Sequence, residues 1–86
     1  MAVYAVYARE ARSPRWQLQQ VFDLAPDAER YAATLVQASG ARGAGRWVEA
    51  LVEYYPSRSD IHEVLPANHV AAVTARFTRT GFAEVT

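Results

Sequence analysis

The chain has 86 residues, 51% of them hydrophobic and 12% aromatic, which is too apolar for a disordered segment and enough for one small core. It contains no cysteine, so disulfides, thiolate metal sites and thiol catalysis are excluded. Nine basic residues, all arginine, balance nine acidic ones, which leaves no overall field to draw in a polyanion or an anionic membrane.

A single domain over residues 1–86 is expected, burying only about 60–65% of the surface its unfolded form exposes. Self-association is one way such a domain gains stability. No apolar run reaches the ~18–20 residues of a membrane span, and no basic stretch followed by an apolar one marks a signal peptide. The expected location is the cytoplasm. The arginine and alanine bias reads as the footprint of a GC-rich, bacterial-like coding sequence.

Residues Ala2 to Ala8 read as the first strand. Val3, Ala5 and Tyr7 point one way and Tyr4, Val6 and Ala8 the other, so both faces are apolar and both need a cover. The polar turn Arg9 to Arg15 leads to a second strand, Trp16 to Phe22. Here Trp16, Leu18, Gln20 and Phe22 alternate with Gln17, Gln19 and Val21, the pattern of a half-buried hairpin partner.

Pro26 with Asp27 and Glu29 marks a helix start, and the helix is expected to run to about Ser39. Ala28, Tyr31, Ala32, Leu35 and Val36 form its buried stripe, with Gly40 as a left-handed stop. A third strand spans Trp47 to Tyr55. Val48, Ala50, Val52 and Tyr54 make an apolar face, while Trp47, Glu49, Leu51, Glu53 and Tyr55 make a mixed one whose carboxylates argue against deep burial.

Asp60 to Leu65 suits either a fourth strand pairing back on the third or a helical turn capped by Asp60 and Glu63, and the strand is preferred for its hairpin spacing. A second helix is expected over Ala67 to Thr80, with Val70, Val73 and Phe77 as its stripe and Gly81 as its stop. Phe82 to Val85 suits a short edge strand. The order β-β-α-β-(β)-α(-β) predicts an α+β fold, a single mixed or antiparallel sheet with two helices on one face. It resembles a circularly permuted ferredoxin-like sandwich in architecture alone, which implies no activity.

Two helices cover one face, so the other is expected to meet a partner. Tyr4, Val6, Trp47, Leu51 and Tyr55 are the candidate interface on that uncovered face. The resulting expectation is a non-catalytic binding or accessory module that forms a homodimer or takes a protein partner. The alternative is that the closing segments of the same chain cover the face.

Other constellations compete. Arg9, Arg12, Arg15, Arg42 and Arg46 lie in two loops near Trp16 and Trp47, an arrangement that suits single-stranded nucleic acid through charge pairing and base stacking. Solvated loop charge explains the same residues. His62 and His69 could each serve as a general base beside Asp60 or Tyr54 in a small cofactor-free enzyme. They stand seven apart with Pro66 between them, which breaks the helical spacing a zinc motif needs, so no metal is expected. The glycines at 40, 43 and 45 leave a helix and enter a strand, the wrong polarity for a phosphate loop. No cofactor is expected.

Overall fold

The computed structural model describes residues 2–41, 47–66, 73–78 and 83–85. Strands β1 (Val3–Glu10) and β2 (Arg15–Phe22) form the expected hairpin, followed by helix α1 (Ala25–Ala41) and strand β3 (Trp47–Tyr55). A 3₁₀ turn (Arg58–Asp60) leads to β4 (Val64–Pro66), and β5 (Val73–Thr78) and β6 (Ala83–Val85) complete the described elements. One sheet holds all six strands in the order β4-β2-β1-β3-β5-β6, with every pairing antiparallel. The protein is thus α+β. No helix among the described residues is long and apolar enough to cross a membrane.

The position of β1 explains its double apolarity. It lies inside the sheet between β2 and β3, and Val3, Ala5, Val6, Tyr7 and Ala8 are all buried. On one face α1 lays Ala28, Ala32 and Val36, spaced by four, against Val6, Ala8, Ala50, Val52 and Ala75. Small side chains on both surfaces let the helix sit close to the strands. Its start follows local chemistry, with Pro26 in the first turn, Asp27 placed to favour the helix dipole, and the Ala28 amide donating to the Leu24 carbonyl at 3.3 Å. The helix continues through Gly40 to Ala41, two residues past the expected end at Ser39, so Gly40 is not its stop.

Three β-bulges set which side chain faces which way. Val6 pairs with Gln20 and Tyr7 with Leu18, so Gln19 is the extra residue in β2. Arg9 pairs with Glu49 and Glu10 with Trp47, which leaves Val48 extra in β3. Val52 pairs with Ala75 and Glu53 with Val73, which leaves Thr74 extra in β5. Each bulge reverses the alternation beyond it. Phe22 therefore packs on the helix side while Trp16, Leu18 and Val21 join the opposite cluster, and Trp47 turns in under the helix with Ala50 and Val52. Strict alternation groups these residues differently, with Phe22 beside Trp16 and Trp47 beside Leu51.

The second half departs from expectation. Instead of a second helix, Val73–Thr78 is a strand on β3, and residues 67–72 and 79–80 of the expected helix lie outside the described residues, as do Gly81 and Phe82. Val73, Ala75 and Phe77 alternate with Thr74, Arg76 and Thr78, and the threonines, valine and phenylalanine suit an extended backbone better than a helix. The segment 60–65 does not pair back on β3 either. With β1 and β5 on its two edges β3 has none free, and β4 pairs instead with β2, placing Leu65 opposite Trp16. The short closing strand pairs with β5, inside the range expected for it. Among the described residues one helix stands where two were expected, so the permuted ferredoxin-like layer is not reproduced.

The second face is covered by the chain between β3 and β4. To pass from the end of β3 to the outer edge of β2, residues 56–63 cross beneath β1 and β2. Ile61 packs against the cluster of Val3, Ala5, Tyr7, Trp16, Leu51, Tyr55 and Leu65, and the Leu18 amide donates to the Glu63 carbonyl at 2.9 Å.

Candidate functional site

The antiparallel register builds an aromatic row at one end of the sheet. Tyr4 stands opposite Phe22 on one side and Tyr54 on the other. The Tyr4 and Tyr54 rings meet edge-on at 5.6 Å, and Tyr31 of α1 lies 5.4 Å from Phe22. Such pairs contribute about 0.5–1.5 kcal/mol each beyond area burial. Helix α1 begins beside β2, with Tyr31 on Phe22, and leads towards the far end of β3. Tyr54 at the near end of β3 is thereby left 39% exposed, and Leu24, two residues past Phe22, is 61% exposed.

A different chemistry lies on the second face. Glu53 and Tyr55 are two residues apart in β3 and share that face with Tyr7 of β1. The Tyr7 hydroxyl donates to the His62 carbonyl at 2.6 Å, the Tyr55 hydroxyl donates to Glu53 Oε2 at 3.1 Å, and the two phenol oxygens stand 3.2 Å apart. Tyr7 gives its proton to the His62 carbonyl and so accepts at the phenol–phenol contact, and the Tyr55 hydroxyl is shared between that oxygen and Glu53. Glu53 and Tyr7 are both fully buried. Burial pushes the Tyr7 phenol above its ordinary value, and burial first, then the hydrogen bond with Tyr7, pushes Tyr55 well above it. Both phenols stay neutral and act as fixed hydrogen-bonding groups.

The structure separates the five candidate interface residues. Tyr4, Val6 and Trp47 belong to the helix side, whereas Leu51 and Tyr55 belong to the opposite cluster, so the set does not form one surface. Val6, Trp47, Leu51 and Tyr55 are also buried within the chain, and only Tyr4 keeps partial exposure. Two physical causes act together. The bulge at Val48 turns Trp47 over, and the helix and the 56–63 crossover cover the two faces. The mixed face of β3 also proves to be core, since Glu53 is sealed there.

The arginines are distributed rather than gathered. Arg9 pairs with Glu49, donates to the Ser13 carbonyl at 3.2 Å and lies 5.7 Å over the Trp16 ring. Arg12 and Arg15 are exposed, while Arg42 and Arg46 lie outside the described residues. Trp16 and Trp47, the candidate stacking platforms, are buried. The His62 side chain is exposed and only its carbonyl is engaged, Asp60 is exposed in the 3₁₀ turn, Tyr54 lies in the row on the helix side, and His69 lies outside the described residues. Among the described residues no group of three or more His, Cys, Asp or Glu side chains could hold a metal ion.

Sequence reasoning missed Tyr7, Glu53 and the carbonyl of His62 as partners in one chain, and Phe22 and Tyr54 as the neighbours of Tyr4, with Tyr31 packed on Phe22. The spacing of Glu53 and Tyr55 was a usable signal, because residues two apart on a strand share a face. Comparisons with protein-family models, with curated proteins and with solved structures return no match.

Proposed function

We propose that the protein is a small non-catalytic binding module that associates with a second copy of itself through the aromatic row of Phe22, Tyr4 and Tyr54, flanked by Tyr31 and Leu24. The observation that carries this reading is the exposure at the two ends of that row, Tyr54 on β3 and Leu24 just past Phe22, with the partly buried rings of Tyr4 and Phe22 between them. Tyrosine suits such a place because it buries a large area at low entropic cost and keeps a polar tip. The row crosses three strands, about 10 Å at the usual strand spacing. That is the centre of a contact rather than the whole. A standard interface removes about 800 Å² from each partner, roughly 15% of the 5282 Å² that the chain exposes.

A second copy is favoured over a charged partner because the chain is formally neutral, so two copies meet without net repulsion. A two-fold axis through the row would place each tyrosine edge against its counterpart. Nucleic-acid binding has less support, since the tryptophans that would stack on bases are buried and Arg9 is engaged with Glu49. Histidine-based catalysis likewise has less support, since the His62 side chain is exposed.

Light scattering on the eluting protein at tens to hundreds of micromolar tests the proposal. Twice the chain mass is expected, falling to the single-chain mass in the Tyr54→Ser, Leu24→Ser double variant. A wild-type monomer throughout that range, or a dimer indifferent to the double substitution, overturns it.

A further inference from the structure

We infer that the crossover 56–63 is a lid on the second sheet face, latched by the Tyr7 hydroxyl on the His62 carbonyl, and that it opens as a unit while the sheet and helix stay folded. The 3₁₀ turn at its centre buries no residue. Pro56, Arg58, Ser59, Asp60, His62 and Glu63 are all exposed. Among the described residues what fastens the segment is short: Ile61 on the apolar cluster, Tyr7 to the His62 carbonyl at 2.6 Å, Leu18 to the Glu63 carbonyl at 2.9 Å, and Leu65 in the middle of β4. A segment with few buried contacts opens at lower free energy than the strands it crosses.

A second observation, independent of the first, points the same way. The Trp16 indole Nε1 is buried and has no hydrogen-bond partner. Trp16 stands directly opposite Leu65 of β4, where the crossover ends. A buried donor without a partner penalises the closed state, and opening relieves the penalty by admitting water to that nitrogen. The Tyr7 phenol under the lid stands 3.2 Å from the Tyr55 phenol, which in turn donates to the Glu53 carboxyl. They are polar groups in an otherwise apolar cluster, the part of the core that gains most from renewed access to water.

The latch is assigned to Tyr7 because its hydroxyl is the side-chain group that bonds the crossover backbone from the central strand. Tyr55 bonds within the face, to Tyr7 and Glu53, and leaves the crossover untouched. Removing the two hydroxyls separately therefore distinguishes a latch from general weakening of the core.

Native-state hydrogen exchange on the full chain, read at the Leu18 amide and at amides shared by β1 and β3, tests the inference. In the wild type Leu18 should exchange on the order of tenfold or more faster than the β1–β3 amides, with little dependence on denaturant. Tyr7→Phe removes a bond that the open and the unfolded forms both lack, so it should accelerate Leu18 on the order of tenfold for one lost hydrogen bond, and the β1–β3 amides by about the same factor. Tyr55→Phe removes a bond that outlasts lid opening and is lost only on unfolding, so it should leave the Leu18 rate as it is in the wild type and accelerate the β1–β3 amides alone. Equal rates and equal denaturant dependence at Leu18 and the β1–β3 amides in the wild type would overturn the lid, whether or not Tyr7→Phe folds. An unchanged Leu18 rate in a folded Tyr7→Phe variant, or the same acceleration of Leu18 in Tyr55→Phe, would overturn the latch.

Discussion

On the helix face of the sheet, Ala28, Ala32 and Val36 gather with Val6, Val52 and Ala75 in one apolar cluster, whereas on the opposite face an irregular crossover spans a surface that includes a carboxyl and two phenols. The first cover is regular and satisfies its own backbone groups, so it needs only small side chains to approach closely. The second cover has no repeating backbone pattern over the strands and depends on individual bonds from Tyr7 and Leu18. The lesson is that both sides of one sheet can be equally well buried by size of area and yet differ in how easily they open. Burial alone does not report strength of attachment.

The largest effects should come from the packed centre. For a chain of this length a total stability of about 4–13 kcal/mol is typical. Leu51→Ala removes a fully buried side chain on the crossover side and should cost about 2–5 kcal/mol in denaturant melts. Ala32→Leu forces a larger side chain between helix and sheet and should cost about 1–3 kcal/mol. If Leu51→Ala proved the milder of the two, the crossover side would be able to collapse around the gap, and the contrast between the faces would sharpen.

Alkaline pH separates the faces by chemistry. Tyr7 and Tyr55 have folded-state pKa values raised above the ordinary tyrosine value of 10.0, so they hold protons that the unfolded chain releases. Their contribution is therefore fully present below pH 10 and is lost as pH rises beyond it, at up to about 1.4 kcal/mol per pH unit for each phenol. Tyrosinate absorbance should show these two remaining neutral above pH 10, until the protein unfolds. A native protein in which all five tyrosines titrate together would remove this distinction.

Tyr7→Phe should cost about 1–2 kcal/mol, because it removes the bond to the His62 carbonyl while keeping the ring. The smallest expected change is at the Tyr54 end of the aromatic row. Tyr54→Ser should alter monomer stability by no more than about 0.5–1.5 kcal/mol, chiefly the edge-on contact with Tyr4. A larger loss would mean that the row serves the fold more than association.

How much was legible can be judged at particular residues. The hairpin, the start of α1 and both ends of β3 follow from local signals: a polar turn at Arg9 to Arg15, Pro26 with Asp27, and a nine-residue stretch of β-formers. The grouping of Tyr4, Val6, Trp47, Leu51 and Tyr55 was not legible, because the extra residues that reverse alternation are Gln19, Val48 and Thr74. None is a glycine or proline that would announce a bulge. Val73 and Phe77 satisfied helical spacing and strand alternation equally, and the free edge of β3 decided between them.

By itself the sequence determined that β1 needs a cover on each face, since a strand apolar on both faces cannot keep either one in water. It also placed the hairpin, the helix start and β3, because turns, caps and periodicity act over a few residues. Tertiary structure decided which covers are used and which side chains meet: the bulges set the faces, the occupied edges of β3 sent β4 to β2, and the crossover brought His62 to Tyr7. Those outcomes depend on competition for strand edges and surfaces between residues far apart in the chain, and no local pattern encodes who wins it.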